Sequence, residues 1–304
     1  KIIISMINLK EKIKDLTILD GGMGQELLSR GVKPISNLWS ASALLNKDYH
    51  KIIYECHLDF IKAGAEIILT NTFGSRKRRL EENNLLHKFK DINLIALNLA
   101  KDAVKNSKKK IFIAGSLPPQ NFTYIADLGE DKNQIYQNFK EQAKILNSGV
   151  DLFYLDVMSS LEECEIAIKS IKEFNKPFIV GIHFRKNGIL PSGERFIDVA
   201  KKIEKYQPLA IMGSCVSYED TISIKKDFQN LNIPFGFKIN AFKEIPTGWK
   251  PDASNPKEQL GKNEELNMLK FIDISKEFIN YGAKIIGGCC EIPPYYIAKL
   301  KELK

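Results

Sequence analysis

Short apolar runs rich in β-forming residues recur along the whole chain, and each is followed by a stretch of helical periodicity. Strands are expected at Thr17–Asp20, Glu66–Thr70, Ile111–Gly115, Leu152–Asp156, Phe178–Ile182, Leu209–Gly213, Phe235–Ile239 and Lys284–Gly287. Helical periodicity appears at Tyr49–Ala63, Asn93–Lys105, Ile135–Asn147, Ser160–Glu173 and Arg195–Lys205. Continuously apolar strands that alternate with amphipathic helices describe a parallel sheet covered on both faces. Eight such units in 304 residues predict an α/β fold, a single-domain (β/α)8 (TIM) barrel over 1–304 with its core at about 15–303. The competing architecture is an open doubly wound sheet, which offers a ligand one switch point only.

The turn residues agree with this scheme. Ala63-Gly64, Ser148-Gly149 and Tyr281-Gly282 stand between a helix and the next strand, where a glycine cap is expected. Asn175-Lys176-Pro177 and Asn232-Ile233-Pro234 stop helices ahead of strands. No linker or long repeat divides the chain. One polar segment with three prolines, 243–262, follows the seventh strand and reads as a lid or binding loop.

The formal charge is +8, but the lysines are scattered, with KNSKKK at 105–110 the densest group. A solvated surface is expected and no nucleic-acid partner, since no recognition signature accompanies the charge. An odd count of five cysteines suits a reducing compartment rather than a disulfide framework. The apolar opening Ile2–Ile7 is too short to span a membrane or to form a signal core. A cytoplasmic protein is expected, with Met6 as a possible initiator.

In a barrel, chemistry sits at the C-terminal ends of the strands. The polar residues there are Asp20 with Gly21 and Gly22, Thr70-Asn71-Thr72, Ser116, Asp156, His183, Cys215, Asn240, and Cys289 with Cys290. Three thiols at strand ends can converge on one soft metal such as zinc, leaving a fourth position for substrate. The 74-residue gap between Cys215 and Cys289 lacks a C-x-x-C knuckle, so a buried core role for Cys215 stays open. Adjacent residues on a regular strand face opposite sides. Two functional thiols in a row therefore need a bent terminus, for which Gly287-Gly288 offers backbone freedom. Cys56 and Cys164 fall inside helices and read as core, as does His57 as a structural or surface residue. His183 is a candidate for a supporting or acid–base role.

The stretches ILDGGMGQELLSRG (18–31), FIKAGAEIILTNTF (60–73), DLFYLDVMSSLEE (151–163), AIMGSCVS (210–217) and AKIIGGCCEIPPYYI (283–297) resemble the homocysteine S-methyltransferase family, in the family's order and over nearly the whole chain. The resemblance implies a (β/α)8 fold, with Cys215, Cys289 and Cys290 as catalytic zinc ligands. It implies that Asp20 and Asp156 hold the homocysteine amino group and that the backbone at Gly21 and Gly22 approaches the substrate. The implied reaction is methyl transfer to the homocysteine thiol, giving methionine. The implied partners are small molecules, without membrane or nucleic acid, for a monomer or homodimer.

The chain departs from the family pattern at several positions. Asp156 replaces the usual Glu, Ser214 replaces an Asn common before the first zinc cysteine, and Glu291 follows GGCC where Gly is common. On the donor side, Trp39 matches the tryptophan of betaine-dependent relatives, whose two tyrosines are replaced by Gly74 and Val157. Half a cation–π cage favours a sulfonium donor such as S-methylmethionine over betaine. Tyr124, Tyr218 and Trp249 could supply other aromatic surface, with ordinary packing the favoured reading for each. Methylation of another small thiol or selenol, and a non-catalytic amino-acid- or metal-binding barrel with a redox pair, are the alternatives.

Overall fold

The computed structural model describes residues 9–129, 131–250 and 255–304. The expected initiator region around Met6 lies outside these. Eight parallel strands form one sheet: β1 Thr17–Ile18, β2 Ile67–Leu69, β3 Phe112–Leu117, β4 Leu152–Met158, β5 Phe178–Ile182, β6 Ala210–Val216, β7 Phe235–Ile239 and β8 Ile285–Gly288. Their order runs β1-β8-β7-β6-β5-β4-β3-β2. A single parallel bridge, Leu19 to Ile67, closes β1 against β2. The barrel is thus the expected one, and the open-sheet alternative is excluded. The expected helices are present, for instance His50–Ala63, Phe89–Ser107, Lys132–Leu146 and Leu161–Ile171.

The strands are apolar on both faces because they serve two cores. Leu152, Tyr154, Ala210 and Met212 point into the barrel and pack with Leu19, Ile67 and Ile285. Their neighbours Phe153, Leu155 and Ile211 face the helical shell. Alternation of side chains sends successive residues to these two layers.

That alternation breaks at two places. Between Leu155 and Met158, β4 advances three residues while β5 advances two. Between Ser214 and Val216, β6 advances two while β7 advances one. Each strand thus holds one extra residue, Val157 at φ 64° and Cys215 at φ 54°. These bulges lengthen β4 and β6 beyond the expected ends at Asp156 and Gly213. A positive φ at a β-branched residue is a true outlier, and such strain concentrates at functional sites.

Two glycine expectations need correction. Gly64 and Gly282 cap their helices at φ 114° and 102°, but Gly149 has no positive φ. There a Cβ would instead meet Lys101 and Leu97 at 2.9 and 3.2 Å. Gly287 and Gly288 do not supply left-handed backbone either; the positive φ falls on Glu291, at 64°. Their role is close approach. A Cβ on Gly287 would lie 2.6 Å from Leu19 Cβ, and one on Gly288 would lie 2.2 Å from Ile292. His57, on the helix His50–Ala63, is fully buried, with neither ring nitrogen hydrogen-bonded.

Gly287→Ala should wedge the thin β1–β8 seam and cost about 1–3 kcal/mol, read as a lower urea midpoint. Burial holds His57 down to a pKa of about 3. Its folded pKa lies below the unfolded value of about 6.5, so the unfolded chain binds more protons between those values. Stability should therefore fall as pH drops below about 6.5, and His57→Leu should flatten that part of a pH–stability curve.

Candidate functional site

The C-terminal ends of the strands open into a cavity lined by Asp20, Asp156, Lys238 and the three cysteines. On its floor the Sγ atoms of Cys215, Cys289 and Cys290 lie within 4.8 Å of one another. Cys215 reaches this place through the β6 bulge; without the extra residue it would face the helices. Cys289 and Cys290 occupy the turn after β8. Gly21 and Gly22 let the β1 loop press against that turn, since Cβ atoms there would lie 2.3 Å from the carbonyls of Ile292 and Cys289. The Cys289 amide donates to Ile239 O at 2.7 Å, and the Ala241 amide to Cys290 O at 2.9 Å. Both ends of the cysteine pair are thereby tied to β7.

The donor set suits a soft cation. Zinc bonds thiolates at about 2.3 Å, so a tetrahedral site spaces its sulfurs about 3.8 Å apart, compatible with this cluster. Burial alone would raise the Cys215 thiol, but hydrogen bonds from Cys289, Cys290 and Tyr124 hold it well below the usual thiol range. Cys289 is pushed up to about 12, chiefly by its hydrogen bond to Cys215. A divalent cation would replace the remaining thiol protons.

Two residues brace Cys215. Tyr124 Oη is 3.1 Å from its Sγ, and His183 Nδ1 is 2.9 Å from its carbonyl. A carbonyl only accepts, so the His183 proton sits on Nδ1. Desolvation lowers the His183 pKa to about 4, which keeps the ring neutral. His183 thus supports the kinked backbone.

Beside the sulfurs lies a buried acid–base group. Asp20 accepts a hydrogen bond from the Leu69 amide at 2.8 Å. Burial, opposed by Lys238 and the Leu69 amide, raises its pKa to about 7. Asp156 receives Ser214 Oγ on one oxygen at 2.5 Å and Lys238 Nζ on the other at 3.2 Å. Asp156, expected with Asp20 to hold the homocysteine amino group, is thus already paired with a buried lysine. Lys238 was not anticipated, although a single lysine within the apolar run FGFKI is a legible sign of a buried partner. Its ammonium also lies 4.9 Å from the centre of the Tyr154 ring.

The upper wall is aromatic. Trp39 stands edge-on to Phe73 at 6.1 Å, and Tyr124 lies 5.8 Å from Trp249. These four rings, with Phe242, line the cavity. Tyr124 and Trp249 are therefore more than ordinary packing, whereas Tyr218 lies outside the lining. Trp39 Nε1 donates to Gln25 Oε1 at 2.8 Å, while Gln25 Nε2 donates to Glu291 Oε1 at 2.7 Å. Glu291 also pairs with Lys257 at 3.0 Å. The residue after the cysteine pair thus indirectly positions the tryptophan. The 243–262 segment contributes Trp249 and Pro256 to the wall; its residues 251–254 lie outside the described residues. Cys56 and Cys164 are buried in the helical shell, away from the site, as expected.

The sequence profile described as Homocysteine S-methyltransferase matches residues 17–303. The chain belongs to the homocysteine S-methyltransferase family. It is 27% identical to Homocysteine S-methyltransferase 2 of Saccharomyces cerevisiae over 96% of this chain and 95% of that protein. Against Homocysteine S-methyltransferase of Escherichia coli, identity is 24%, with 95% of each chain covered. Against the S-methylmethionine–homocysteine S-methyltransferase BHMT2 of Pongo abelii it is 22%, over 95% of this chain and 78% of that protein. The solved metallated form of the homocysteine methyltransferase MmuM from Escherichia coli superposes with a TM-score of 0.79 at 22% identity, covering 95% and 96% of the two chains. As an enzyme of this family the chain is a methyltransferase. Among the described residues no helix is long and apolar enough to cross a membrane.

Cys290→Ser should drop tightly bound metal from roughly one ion per chain to near none, measured by metal analysis after dialysis. The circular dichroism of the variant should remain that of the parent.

Proposed function

We propose that the protein transfers a methyl group from an onium donor to the thiol of L-homocysteine, giving methionine, with zinc held by Cys215, Cys289 and Cys290. The observation that carries this reading is the convergence of three cysteine sulfurs beside buried Asp20 at the base of one cavity. Zinc at these thiolates would accept the homocysteine sulfur as a fourth ligand and take the place of its proton.

The chain's own residues then do the positioning. Asp20, destabilised as a carboxylate by burial, gains a counter-ion when an ammonium arrives. Lys238 faces the same space and suits the carboxylate of an amino acid, while Asp156 and Ser214 keep Lys238 in place. Gly21 and Gly22 let backbone come close without side chains in the way. Held in line, the sulfur forms a bond to the methyl carbon as the carbon–onium bond breaks. Its electron pair leaves with the donor as a neutral thioether or amine. Fixing both partners removes much of the entropic cost of their encounter.

For the donor, a sulfonium such as S-methylmethionine is the first choice, in keeping with the name of the Pongo abelii relative. Tyr124 and Trp249 add aromatic faces that the missing tyrosines at Gly74 and Val157 do not. A quaternary ammonium is therefore the second choice. Free cysteines throughout accord with a reducing, cytoplasmic setting.

The test incubates zinc-loaded protein with homocysteine and, in turn, S-methylmethionine, glycine betaine, dimethylsulfoniopropionate and S-adenosylmethionine, and measures methionine. No methionine from any donor would overturn the proposal. Asp20→Asn should raise the KM for homocysteine by about 10- to 100-fold. It should leave 4-mercaptobutanoate, which lacks the amine, nearly unchanged as an acceptor.

A further inference from the structure

The short helix Lys77–Glu82 follows β2 and carries Arg78 and Arg79, with Arg76 just before it. Their surroundings differ sharply. Arg76 is buried, donates through Nη1 to Pro119 O at 2.8 Å and Thr123 Oγ1 at 3.0 Å, leaves its Nε without a partner, and does not line the cavity. Arg78 stacks 3.9 Å over the Phe122 ring and pairs with Glu82. Arg79 is only 4% exposed, yet among the described residues it has no carboxylate within salt-bridge distance, and its guanidinium makes one hydrogen bond, to Asn37 O at 2.9 Å. A guanidinium has five N–H donors. Arg79 lines the same cavity as the aromatic wall of Trp39, Phe73, Tyr124 and Trp249.

Burying a charge without a partner is costly. Desolvation lowers the Arg79 pKa to about 10, so it stays protonated at neutral pH. A buried cation beside the donor wall disfavours a ligand that carries only positive charge. It favours one that places an anion against the guanidinium while its onium centre rests on the aromatic faces.

We infer that Arg79 anchors a carboxylate of the methyl donor, so that the donor is a zwitterion with an onium centre and a carboxylate. This rests on reading the cavity as the methyl-transfer site and adds a specificity-determining residue to it. The arrangement divides recognition between two cations. Lys238, at the sulfur end, serves the acceptor, and Arg79, at the aromatic end, serves the donor. The competing structural role is that Arg79 merely holds the Asn37 carbonyl and, through it, the segment bearing Trp39.

Calorimetry on the zinc-loaded protein separates the two. The probes are glycine betaine and dimethylsulfoniopropionate, set against tetramethylammonium and trimethylsulfonium, which lack the carboxylate. The wild type should bind the carboxylate-bearing pair about 10- to 100-fold more tightly. Arg79→Met should erase that difference by weakening only the carboxylate-bearing pair, and Arg79→Lys should restore part of it. Homocysteine affinity and zinc content should not change in either variant. Absence of a preference in the wild type, or equal weakening of both kinds of probe in Arg79→Met, would overturn the assignment. If Arg79→Met does not fold, the wild-type preference and its partial retention in Arg79→Lys still decide the matter. Failure of homocysteine to bind the wild type would instead overturn the acceptor reading, and the donor preference is measured without it.

Discussion

The site depends on one inserted residue in β6. Regular alternation would continue Met212 and Ser214 into the barrel and send Cys215 outward to the helices. The extra residue, at φ 54°, breaks that alternation and lets Ser214 and its neighbour Cys215 both serve the cavity. Such a conformation costs of order 1–3 kcal/mol in a residue with a Cβ. The surroundings hold it in place: His183 Nδ1 donates to the Cys215 carbonyl, Tyr124 meets its sulfur, and the Asn240 amide donates to Val216 O at 3.0 Å. In β4 Asp156 follows Leu152 and Tyr154 inward by regular alternation, and the bulge then puts its neighbour Val157 on the cavity wall as well.

The second half of the metal-binding corner is built by absence of side chains. β8 ends against the β1 loop, and four glycines, Gly21, Gly22, Gly287 and Gly288, all lie where a Cβ would strike a neighbour closer than 3 Å. This brings the turn carrying Cys289 and Cys290 directly over Asp20. The Gly288 amide donates to Asp20 O at 3.0 Å, so the acid and the cysteine pair belong to one rigid unit. Glu291, at the positive φ that closes the turn, then reaches Gln25 and through it Trp39. The cysteine corner and the aromatic wall are thus joined by a chain of side-chain contacts only a few residues long.

Most of the strand centres were legible because a parallel barrel strand is apolar on both faces, as Leu152–Leu155 and Ile285-Ile286 are. The strand ends were not. Whether β6 stops at Gly213 or continues to Val216 depends on a bulge that neighbouring strands impose, and nothing local to MGSCVS marks it. The glycines at 287 and 288 were noticed but assigned the wrong property, since turn freedom is a local idea and close packing against Leu19 and Ile292 is a tertiary one. Tyr124 and Trp249 lie in loops without periodicity, so their approach to Cys215 and to each other had no signal. Lys238 did have one: a charged residue at an inward position of an apolar strand requires a buried partner.

That lysine changes the meaning of the two acids. With Asp20 and Asp156 both free, the pocket would place two carboxylates beside a cluster of thiolates, and burial would drive protons onto them. Lys238 removes one unit of negative charge by pairing with Asp156, and it stays charged because Asp156, Tyr154, Cys289 and Asp20 together outweigh its own desolvation. In register, Lys238 lies opposite Ser214, and Ser214 spans to Asp156. What remains unpaired is Asp20 alone, a single acid next to the sulfurs. On the proposed reading, an amino acid thiol would supply its ammonium to Asp20, its carboxylate toward Lys238 and its sulfur to the cysteine corner. A thiol lacking the ammonium would leave the buried Asp20 without a counter-ion, whereas Lys238 keeps Asp156 as its partner in either case.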